Sequence, residues 1–460
     1  MTAMKPDVAP TLEIFDLTCE TLIIGAGAGG LVAALAAQEA RQSVLVIEAD
    51  PVPQGSTALS AGLIPAAGTI AQAEAGIEDT ASLFAADIQA KADHENEQAL
   101  VDRLAAASGP VIDWLSETFE LPFSVVSNFN YPGHSRRRMH GLPSRSGAEL
   151  IDRLRATCEI AGIDIICERR AHRLFLDDDG QVSGVAVTRP DGGVETIGCD
   201  KLVLACNGFG GNRDLVHQFM PEIENGVWFG HNGNRGEALL WGRQIGADLQ
   251  HLSAYQGHGN VAHPHGILIT WAVIMEGGVQ VNREGRRFWN EAKGYSEAAR
   301  AVLSQPNGEA FAIFDSRIAE IARQFEDFKQ AEASGAIKTS ETLEGLAGDL
   351  GLPVDPFLQT MSDIRTQGPD AFGRDFKGPQ LEAPFLGVRV TGALFHTQGG
   401  LRTGEMAKVY RADGTVFPNL FACGGAACGV SGRGDSGYLS GNGLLSAVVL
   451  GKLAGEAAMR

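Results

Sequence analysis

Long apolar runs and an excess of basic charge are both missing from this 460-residue sequence. No stretch reaches the roughly eighteen consecutive apolar residues of a membrane-spanning helix, so none is predicted. The N-terminal segment MTAMKPDVAPTLEIFDLTCE also lacks the apolar core of a signal peptide. Lysine and arginine total 37 against 56 aspartates and glutamates, a net charge of −19, which argues against nucleic acid or an anionic membrane as the main partner.

Redox and metal motifs are likewise scarce. The seven cysteines show no C-x-x-C pair, no haem-attachment motif and no ferredoxin spacing, so the chain is not expected to carry its own electron relay. Unpaired cysteines scattered through apolar stretches suit a reducing cytoplasm, which is the expected location. His263 and His265 in HPHG have no third ligand nearby in the sequence, so they are interpreted as a loop and no metal site is predicted.

The most informative stretch that is present runs from Thr21 to Asp50. It reads as a buried strand, a glycine-rich turn, an alanine-rich helix and a second strand. Gly25, Gly27 and Gly30 fit G-x-G-x-x-G, in which the glycines allow a tight turn, a close approach to a pyrophosphate and close helix–strand packing. The helix N-terminus offers free N–H groups to phosphates, and Glu48 stands where an acid would bind a ribose hydroxyl. This order of elements predicts dinucleotide binding.

The length favours two domains, and the pattern along the chain predicts how they are arranged. We expect an α/β fold with a Rossmann-type cofactor domain that is split in sequence by an inserted α+β capping domain. The predicted boundaries are a flexible arm at 1–17, the first part of the cofactor domain at 18–254, the cap at 255–384 and the second part of the cofactor domain at 385–460. A final helix from about Gly443 follows a glycine-rich loop, so its N-terminus could also face the cofactor.

Several further motifs resemble the FAD-dependent fumarate reductase / 3-ketosteroid dehydrogenase superfamily over nearly the whole chain. They are IIGAGAGG (23–30), EAD with GSTALSAG (48–62), LACNGFGGN (204–212), GNRGEALLWGRQIGADL (233–249), GRRFWNE (285–291), HTQGGL (396–401), NLFACGGAACGVSG (419–432) and GYLSGNGLLSAVVLGKLAG (437–455). The resemblance implies FAD as the cofactor, which in this family stays in place and accepts hydride at its N5 atom. One Rossmann motif alone could not have separated FAD from NAD.

The resemblance also implies which residues bind FAD. No histidine stands in the run 57–62, where membrane-complex members of the group carry a covalent flavin link, so the binding is expected to be non-covalent. The predicted cofactor-binding residues are Gly25, Gly27, Ala28, Gly30, Glu48, Ala49, Ser56, Thr57, Ser60, Ala61, Gly62, Ala171, Ala205, Asn207, Gly208, Gly425, Asn442 and Leu444.

At the substrate positions the chain departs from the fumarate reductase branch. That branch holds a dicarboxylate with two histidines and two arginines. The histidines are matched by His258, in a Q-x-H motif, and by His396. The arginine positions fall on Tyr295 and Tyr438. A phenol lacks both the charge and the forked donors of a guanidinium, so fumarate reduction is strongly disfavoured.

Tyrosine at both positions resembles the ketosteroid dehydrogenase branch instead, and Tyr438-x-Ser440 is similar to members that desaturate beside a 3-keto group at the ring junction. The resemblance implies Tyr295, Tyr438 and Ser440 as catalytic residues. One phenol would take the α-proton and the other would polarise the carbonyl, and the spacing leaves open which does which. A hydroxyl such as Ser440 or a backbone N–H near Asn442 could assist as an oxyanion donor. The predicted substrate-binding residues are Tyr255, His258, His396, Arg138 and Asn442.

The basic loop that contains Arg136–Arg138 and His140 is interpreted most simply as solvated. The alternative is that it recognises a carboxylate on the substrate, and Arg145 and Arg433 share that alternative. If one of these arginines binds the substrate, a small keto acid becomes a better candidate than a bulky steroid.

Three functions are consistent with the sequence. The first is an FAD-dependent desaturase of a cyclic or small ketone, or the reverse enone reductase, with an external electron acceptor or donor. The second is a fumarate-reductase-like enzyme that acts on an α,β-unsaturated carboxylate with an altered carboxylate clamp. The third is a flavin-binding electron-transfer protein without its own turnover. The substrate, the direction and the oligomeric state are left open at this stage.

Overall fold

The computed structural model describes residues 5–126, 130–364, 369–376 and 379–457. The strands are β1 Asp7–Pro10, β2 Leu17–Ile24, β3 Val44–Ile47, β4 Ile64–Pro65, β5 Ser124–Val125, β6 Met139–Gly141, β7 Asp164–Ile166, β8 Arg170–Leu176, β9 Val182–Thr188, β10 Val194–Leu204, β11 Val227–Trp228, β12 Leu249–Gln250, β13 Tyr255–Ala262, β14 Ile267–Leu268, β15 Val279–Val281, β16 Glu309–Asp315, β17 Ile337–Ser340, β18 Phe385–Thr397, β19 Gly400–Leu401, β20 Lys408–Tyr410 and β21 Val416–Ala422. The helices are α1 Ala28–Glu39, α2 Gly55–Ala58, α3 Ile70–Glu74, α4 Ala81–Lys91, α5 Gln98–Phe119, α6 Gly147–Ile160, α7 Arg213–Phe219, α8 Glu237–Ile245, α9 Ala272–Met275, α10 Tyr295–Leu303, α11 Ser316–Ala322, α12 Glu326–Ala333, α13 Leu343–Leu350, α14 Val354–Asp363 and α15 Asn442–Glu456.

The chain divides into two compact units. The first comprises Met1–Met220, Gly230–Tyr255 and His396–Arg460, and the second comprises Pro221–Phe229 and Gln256–Phe395. The sequence pattern placed the inserted segment at 255–384 and assigned 221–229 to the cofactor domain. In the structure β11 lies in the second unit because it pairs in parallel with β18. The α/β class that the sequence predicts is confirmed.

The first unit is built on five parallel strands in the order β7-β3-β2-β10-β21. The N-terminal half of β10 also pairs antiparallel with β9, and β9 continues the sheet to β8 and β1. Helices cover the parallel strands, which accounts for their nearly continuous apolar runs. Helix α1 is buried along almost its whole length and packs against α15. A Cβ atom on Gly451 would lie 2.3 Å from the carbonyl oxygen of Gly29, so the two helix backbones approach closely.

The N-terminal segment is more ordered than predicted. Residues 1–4 of the expected flexible arm lie outside the described residues. Asp7–Pro10, however, pair in parallel with Arg173–Leu176, and the Arg173 guanidinium binds the Asp7 carboxylate at 2.6 Å. The prediction of a loose arm is therefore wrong for this strand, because β8 offers an edge that β1 can extend.

The second unit is an α+β structure around a mostly antiparallel sheet. The order is β14-β13-β18-β16-β15, and β11 and β17 also pair with β18. Strand β16 is buried along its whole length, and helices α9, α11 and α12 contribute to the apolar core beside it. The long strand β18 therefore organises this unit.

The described parts of the chain contain no helix that is both long and apolar enough to cross a membrane. All seven cysteines lie within the described residues, and none of them forms a disulfide. Burial raises the pKa of Cys158 to about 12, so this thiol stays protonated.

Candidate functional site

The turn between β2 and α1 shows why each glycine of the motif is needed. Gly25 has a positive φ of 105°, and a Cβ there would lie 2.5 Å from the carbonyl oxygen of Ala205. A Cβ on Gly30 would lie 1.9 Å from the carbonyl oxygen of Gly25, so that glycine permits close helix–strand packing. Gly27 is different, because its φ is −75° and an added Cβ would meet only Thr57 Oγ1 at 3.6 Å. The protein leaves open space at Gly27, as a site for a pyrophosphate requires.

The acid at the end of β3 is held in a fixed orientation. Glu48 Oε2 accepts a hydrogen bond from the Ala26 N–H at 2.8 Å, and Oε1 accepts one from the Asp50 N–H at 3.0 Å. The side chain of Asp50 in turn contacts His231 Nε2 at 2.8 Å. The Glu48 carboxylate therefore lies beside the glycine turn, where a ribose hydroxyl would be bound.

A pocket in the first unit gathers many of the predicted cofactor residues. Those that line it are Gly25, Gly27, Glu48, Ala49, Ser56, Thr57, Ala171, Ala205 and Asn207. The same pocket is also lined by residues that the sequence analysis did not predict, among them Arg169, Arg170, His231, Gly233, Glu237 and Trp241. Four of these lie in or next to motifs that carried the family resemblance, which is the signal that could have identified them.

Two of the missed residues support the fit to a ligand. Trp241 Nε1 and Glu237 Oε2 are buried and have no hydrogen-bond partner among the described residues. Burial raises the pKa of Glu237, and the Arg170 guanidinium 3.1 Å away opposes that rise. Unpaired buried polar atoms are costly, so a donor and an acceptor that line the pocket are best explained by a polar ligand. The chemistry of the pocket thus fits a polar cofactor such as FAD.

The remaining predicted cofactor residues lie near this turn or elsewhere in the first unit. The Ala28 N–H donates to Thr57 Oγ1 at 3.0 Å, and Ser60 Oγ donates to the Thr57 carbonyl at 2.7 Å. Ala61 is exposed. The glycines among the rest, Gly62, Gly208 and Gly425, all have backbone or side-chain atoms within 2.6 Å of an added Cβ, and Leu444 lies in the first turn of α15. The roles of these residues in FAD binding stay predictions.

A second group of polar residues lies where α15 begins. Tyr438 is buried, and its ring makes a T-shaped contact with the ring of His396, with 5.5 Å between the ring centroids. Desolvation lowers the pKa of His396 to about 4, so the imidazole is neutral at physiological pH. The backbone carbonyl of Ser440 lies 3.0 Å from His134 Nε2, which therefore carries the proton and donates. His134, from the basic loop, was not predicted and holds the segment that contains Tyr438 and Ser440.

The second unit contains the other predicted tyrosine. Tyr295 is the first residue of α10 and is half-buried. Its ring stacks on His258 with the ring centroids 5.0 Å apart. His258 also stacks on Phe395, with the centroids 5.2 Å apart. Trp271 meets the His258 ring edge-on at 5.8 Å. Aromatic side chains therefore surround His258, the histidine that the family resemblance identified.

His258 is a neutral hydrogen-bond donor. Burial lowers its pKa to about 3, so the ring is uncharged near neutral pH. Its Nδ1 accepts a hydrogen bond from the Asn260 N–H at 3.2 Å. The ring proton is consequently on Nε2, which can donate to a carbonyl oxygen but cannot supply a positive charge.

Tyr255, another predicted substrate residue, belongs to the first unit. It is fully buried, and its backbone N–H donates to the Gly434 carbonyl at 3.0 Å. Its role in substrate binding stays a prediction.

Arg138 differs from its sequence-based interpretation, because it is buried and bound to two aspartates. Its guanidinium binds Asp79 through Nε at 2.7 Å and a second nitrogen at 3.0 Å, and it also binds Asp87. The side chain is completely buried, so the interpretation of a solvated residue is wrong. The two carboxylates also neutralise its charge, which argues against the alternative that it recognises a substrate carboxylate.

The other basic residues of this region differ among themselves. His140 is also buried, with Nε2 2.8 Å from Thr69 Oγ1, and burial lowers its pKa to about 4. Arg136 and Arg433 are exposed, as a solvated loop requires. Arg145 donates to the backbone carbonyls of Ser124 and Gly141, so its guanidinium is largely committed to the protein.

We expect Arg138→Met to destabilise the protein by about 3–5 kcal/mol, because it would leave buried carboxylates without their counter-charge. Urea unfolding followed by circular dichroism measures the effect. The exposed neighbour Arg137 is the matched control, and Arg137→Met is expected to change the free energy of unfolding by less than about 0.5 kcal/mol. Equal effects of the two substitutions would contradict the assignment of a buried ion cluster.

The buried histidines predict how stability depends on pH. Burial lowers the pKa to about 4 for His134 and His140 and to about 3 for His258, against about 6.5 in the unfolded chain. The unfolded state therefore binds more protons below pH 6.5, so their stabilisation is complete above that pH and is lost as the pH falls towards 4. Urea unfolding between about pH 7 and 5 is expected to show a loss of up to about 1.4 kcal/mol per pH unit for each histidine. The control variant is His94→Gln, which replaces an exposed histidine and is expected to leave this pH dependence of stability unchanged.

Comparison with known proteins agrees with this geometry. A family model described as an FAD binding domain matches residues 20–444. The chain is 31% identical over 452 residues to a probable fumarate reductase, Ifc3, of Shewanella frigidimarina (strain NCIMB 400), with 96% of this chain and 75% of the relative covered.

Two solved structures extend the comparison. The open conformation of a flavocytochrome c3 fumarate reductase superposes with a TM-score of 0.82 at 30% identity, over 96% of this chain and 78% of that chain. A 3-ketosteroid-Δ4-(5α)-dehydrogenase from Rhodococcus jostii RHA1 shares the fold with a TM-score of 0.79 at 23% identity, over 99% and 100% of the two chains. The chain therefore belongs to the FAD binding domain family, in which its relatives include fumarate reductases, and it is an FAD-dependent oxidoreductase acting on CH–CH groups.

Proposed function

We propose that this enzyme removes the α- and β-hydrogens beside the ketone of a cyclic or small keto substrate, or catalyses the reverse enone reduction. The observation that carries the proposal is that none of Tyr295, Tyr438, His258 and His396, the four residues at the positions that hold a dicarboxylate in the fumarate reductase branch, supplies a positive charge. Tyr295 and Tyr438 replace the two arginines of the fumarate reductase branch, and His258 and His396 are kept neutral by desolvation. Such residues suit an uncharged carbonyl, whereas a dicarboxylate needs cationic partners.

The tyrosines are proposed as the catalytic residues. One phenol takes the α-proton and the other donates a hydrogen bond to the carbonyl oxygen as negative charge develops there. A phenol with an ordinary pKa near 10 is a weak base, so its anion has to be stabilised. Tyr295 begins α10 and Tyr438 lies shortly before α15, and the positive end of a helix dipole favours a nearby anion. Ser440 is proposed to assist the carbonyl donor.

The reaction also needs a hydride acceptor, which non-covalently bound FAD would supply for the hydrogen on the β-carbon. The glycine turn, Glu48 and the pocket described above are proposed to bind FAD. The α-proton is held on one of the two phenols, that of Tyr295 or that of Tyr438. An external acceptor or donor of electrons is needed for turnover, because each desaturation releases two electrons and each enone reduction consumes two.

The second candidate is reduction of an α,β-unsaturated carboxylate. It is favoured by the names of the relatives at 31% and 30% identity, both of them fumarate reductases. This function would require another cationic residue to bind the carboxylate, because tyrosines occupy the two positions where the fumarate reductase branch has arginines. Arg138 is neutralised by aspartates and Arg145 is committed to backbone carbonyls, which weakens this candidate.

The two candidates differ in an anaerobic assay with reduced methyl viologen and FAD-loaded enzyme. We expect a cyclic enone such as cyclohexenone to reoxidise the viologen, and fumarate to do so at least about a hundredfold more slowly. Rapid reoxidation by fumarate, together with no reaction across a panel of cyclic enones, would contradict the proposal and favour the second candidate.

A further inference from the structure

We propose that Gln398 is a positioning residue that holds His396 in the tautomer with its proton on Nε2, so that this histidine donates a hydrogen bond to a ligand oxygen. Gln398 occupies the open third position of the H-T-x-G-G-L motif, so the family pattern does not assign it a role. The inference rests on the proposed function only for the identity of the ligand, a ketone or enone. The assignment of the tautomer stands on the hydrogen bonds alone.

Gln398 lies in a chain of hydrogen bonds within the first unit. Asn442 Nδ2 donates to Ser431 Oγ at 3.2 Å, and Ser431 Oγ donates to Gln398 Oε1 at 2.7 Å. With its oxygen engaged in this way, Gln398 presents its amide nitrogen to His396 Nδ1 at 3.1 Å. An amide N–H can only donate, so Nδ1 must accept and the imidazole proton is placed on Nε2.

The Gln398 side chain has little freedom to turn round. Gln398, Ser431 and Asn442 are all at least 95% buried. A Cβ atom on Gly429 would lie 2.8 Å from Gln398 Oε1, so the absence of a side chain there makes room for the amide. The backbone N–H of Gln398 is also bound, to the Ala254 carbonyl at 2.8 Å. The amide is therefore held in place on several sides.

The imidazole is only half-buried, and one side of it lies against the first turn of α15. A Cβ on Gly443, in the first turn of α15, would lie 2.9 Å from His396 Cε1 and 3.1 Å from Nε2. Tyr438 is a titratable side chain that packs against the ring. Desolvation lowers the pKa of His396 and the Thr397 carbonyl raises it, with a net value of about 4, so the ring is neutral and its tautomer decides what it can donate.

The competing arrangement is also defined by the geometry. His396 Nδ1 lies 3.3 Å from the Thr397 carbonyl oxygen, which would accept a proton placed on Nδ1. In that tautomer Nε2 could only accept, and it would repel a ketone oxygen. Gln398 is thus proposed to select between a donating and an accepting Nε2.

Nitrogen-15 NMR of the histidine-labelled, FAD-loaded protein tests the inference directly, with His396 assigned from the spectrum of His396→Gln. We expect Nδ1 of His396 to resonate as an unprotonated nitrogen and Nε2 as a protonated one. Gln398→Glu is expected to reverse this pattern, because a carboxylate accepts a proton from Nδ1, and to move the His396 titration to higher pH. Gln330→Glu adds the same charge at an exposed position and is expected to leave the His396 signals unchanged.

The outcomes separate cleanly. Protonated Nδ1 in the wild-type protein would overturn the inference, and so would His396 signals that are the same in Gln398→Glu, Gln398→Leu and wild type. In the viologen assay Gln398→Leu is expected to raise KM for cyclohexenone about tenfold with little change in FAD content, as the loss of one well-placed donor predicts. If no enone reacts with wild type, the proposed function fails while the NMR result still decides the tautomer.

Discussion

Replacing Tyr295 or Tyr438 with phenylalanine is expected to lower kcat for a reactive cyclic enone or ketone by about 10²- to 10⁴-fold, the usual contribution of a positioned acid or base. Phenylalanine keeps the ring, so the stack of residue 295 on His258 and the contact of residue 438 with His396 are retained. Only the hydroxyl is removed, and with it the proton carrier or the carbonyl donor. Steady-state kinetics at matched FAD content measures the effect.

The chain offers a matched control for these variants. Tyr410 lies in β20 with the Arg402 guanidinium 4.4 Å above its ring, and no catalytic role is assigned to it. Tyr410→Phe is expected to keep kcat within about twofold of wild type. If all three variants behave alike, or if Tyr295→Phe and Tyr438→Phe both turn over at the wild-type rate, the phenols are not the catalytic residues.

Substitution of Gly27 by alanine is expected to weaken FAD binding by roughly 100-fold, or about 2.7 kcal/mol. The protein itself can accept the methyl group, because the nearest atom to the added Cβ is Thr57 Oγ1 at 3.6 Å and the backbone has an ordinary φ of −75°. The lost affinity would come from the pyrophosphate, which needs close approach to the backbone at this turn. FAD titration followed by flavin fluorescence measures the dissociation constant.

Gly30 provides the contrast. A Cβ there would lie 1.9 Å from the carbonyl oxygen of Gly25, so Gly30→Ala is expected to lower the stability of the apoprotein as well as its affinity for FAD. Thermal unfolding of the two apoproteins separates these cases. A wild-type dissociation constant for Gly27→Ala would contradict the placement of the phosphates, and an apoprotein of Gly27→Ala as unstable as that of Gly30→Ala would contradict the account of the turn.

Local order along the chain made the cofactor region predictable. Gly25, Gly27, Gly30 and Glu48 belong to one strand–turn–helix–strand unit, and the structure brings Gly25, Gly27 and Glu48 into one pocket. Each glycine has a physical reason for its position. Backbone contacts leave no room for a Cβ atom at Gly25 and Gly30, whereas Gly27 leaves space for a ligand. This information is contained in a window of about thirty residues.

The failures share a dependence on partners that are distant in sequence. Arg138 looked like part of a solvated basic loop, but its carboxylate partners are Asp79 and Asp87, 59 and 51 positions earlier. Residues 7–10 looked like a loose arm because the strand that they extend begins only at Arg170. The same reason explains why His134 was missed, since its acceptor, the Ser440 carbonyl, lies 306 positions later. Periodicity and turn signals report local preference and do not identify such pairings.

We propose that this flavoenzyme acts on an uncharged carbonyl through Tyr295 and Tyr438. The most direct measurement is the bleaching of oxidised, FAD-loaded enzyme by a panel of small cyclic ketones under anaerobic conditions. We expect at least one ketone to bleach the wild-type flavin and not to bleach, on the same timescale, the flavin of the Tyr295→Phe/Tyr438→Phe double variant at equal FAD content. Bleaching of the double variant at the wild-type rate, or a wild-type flavin that no ketone reduces while reduced enzyme is rapidly oxidised by fumarate, would contradict the proposal.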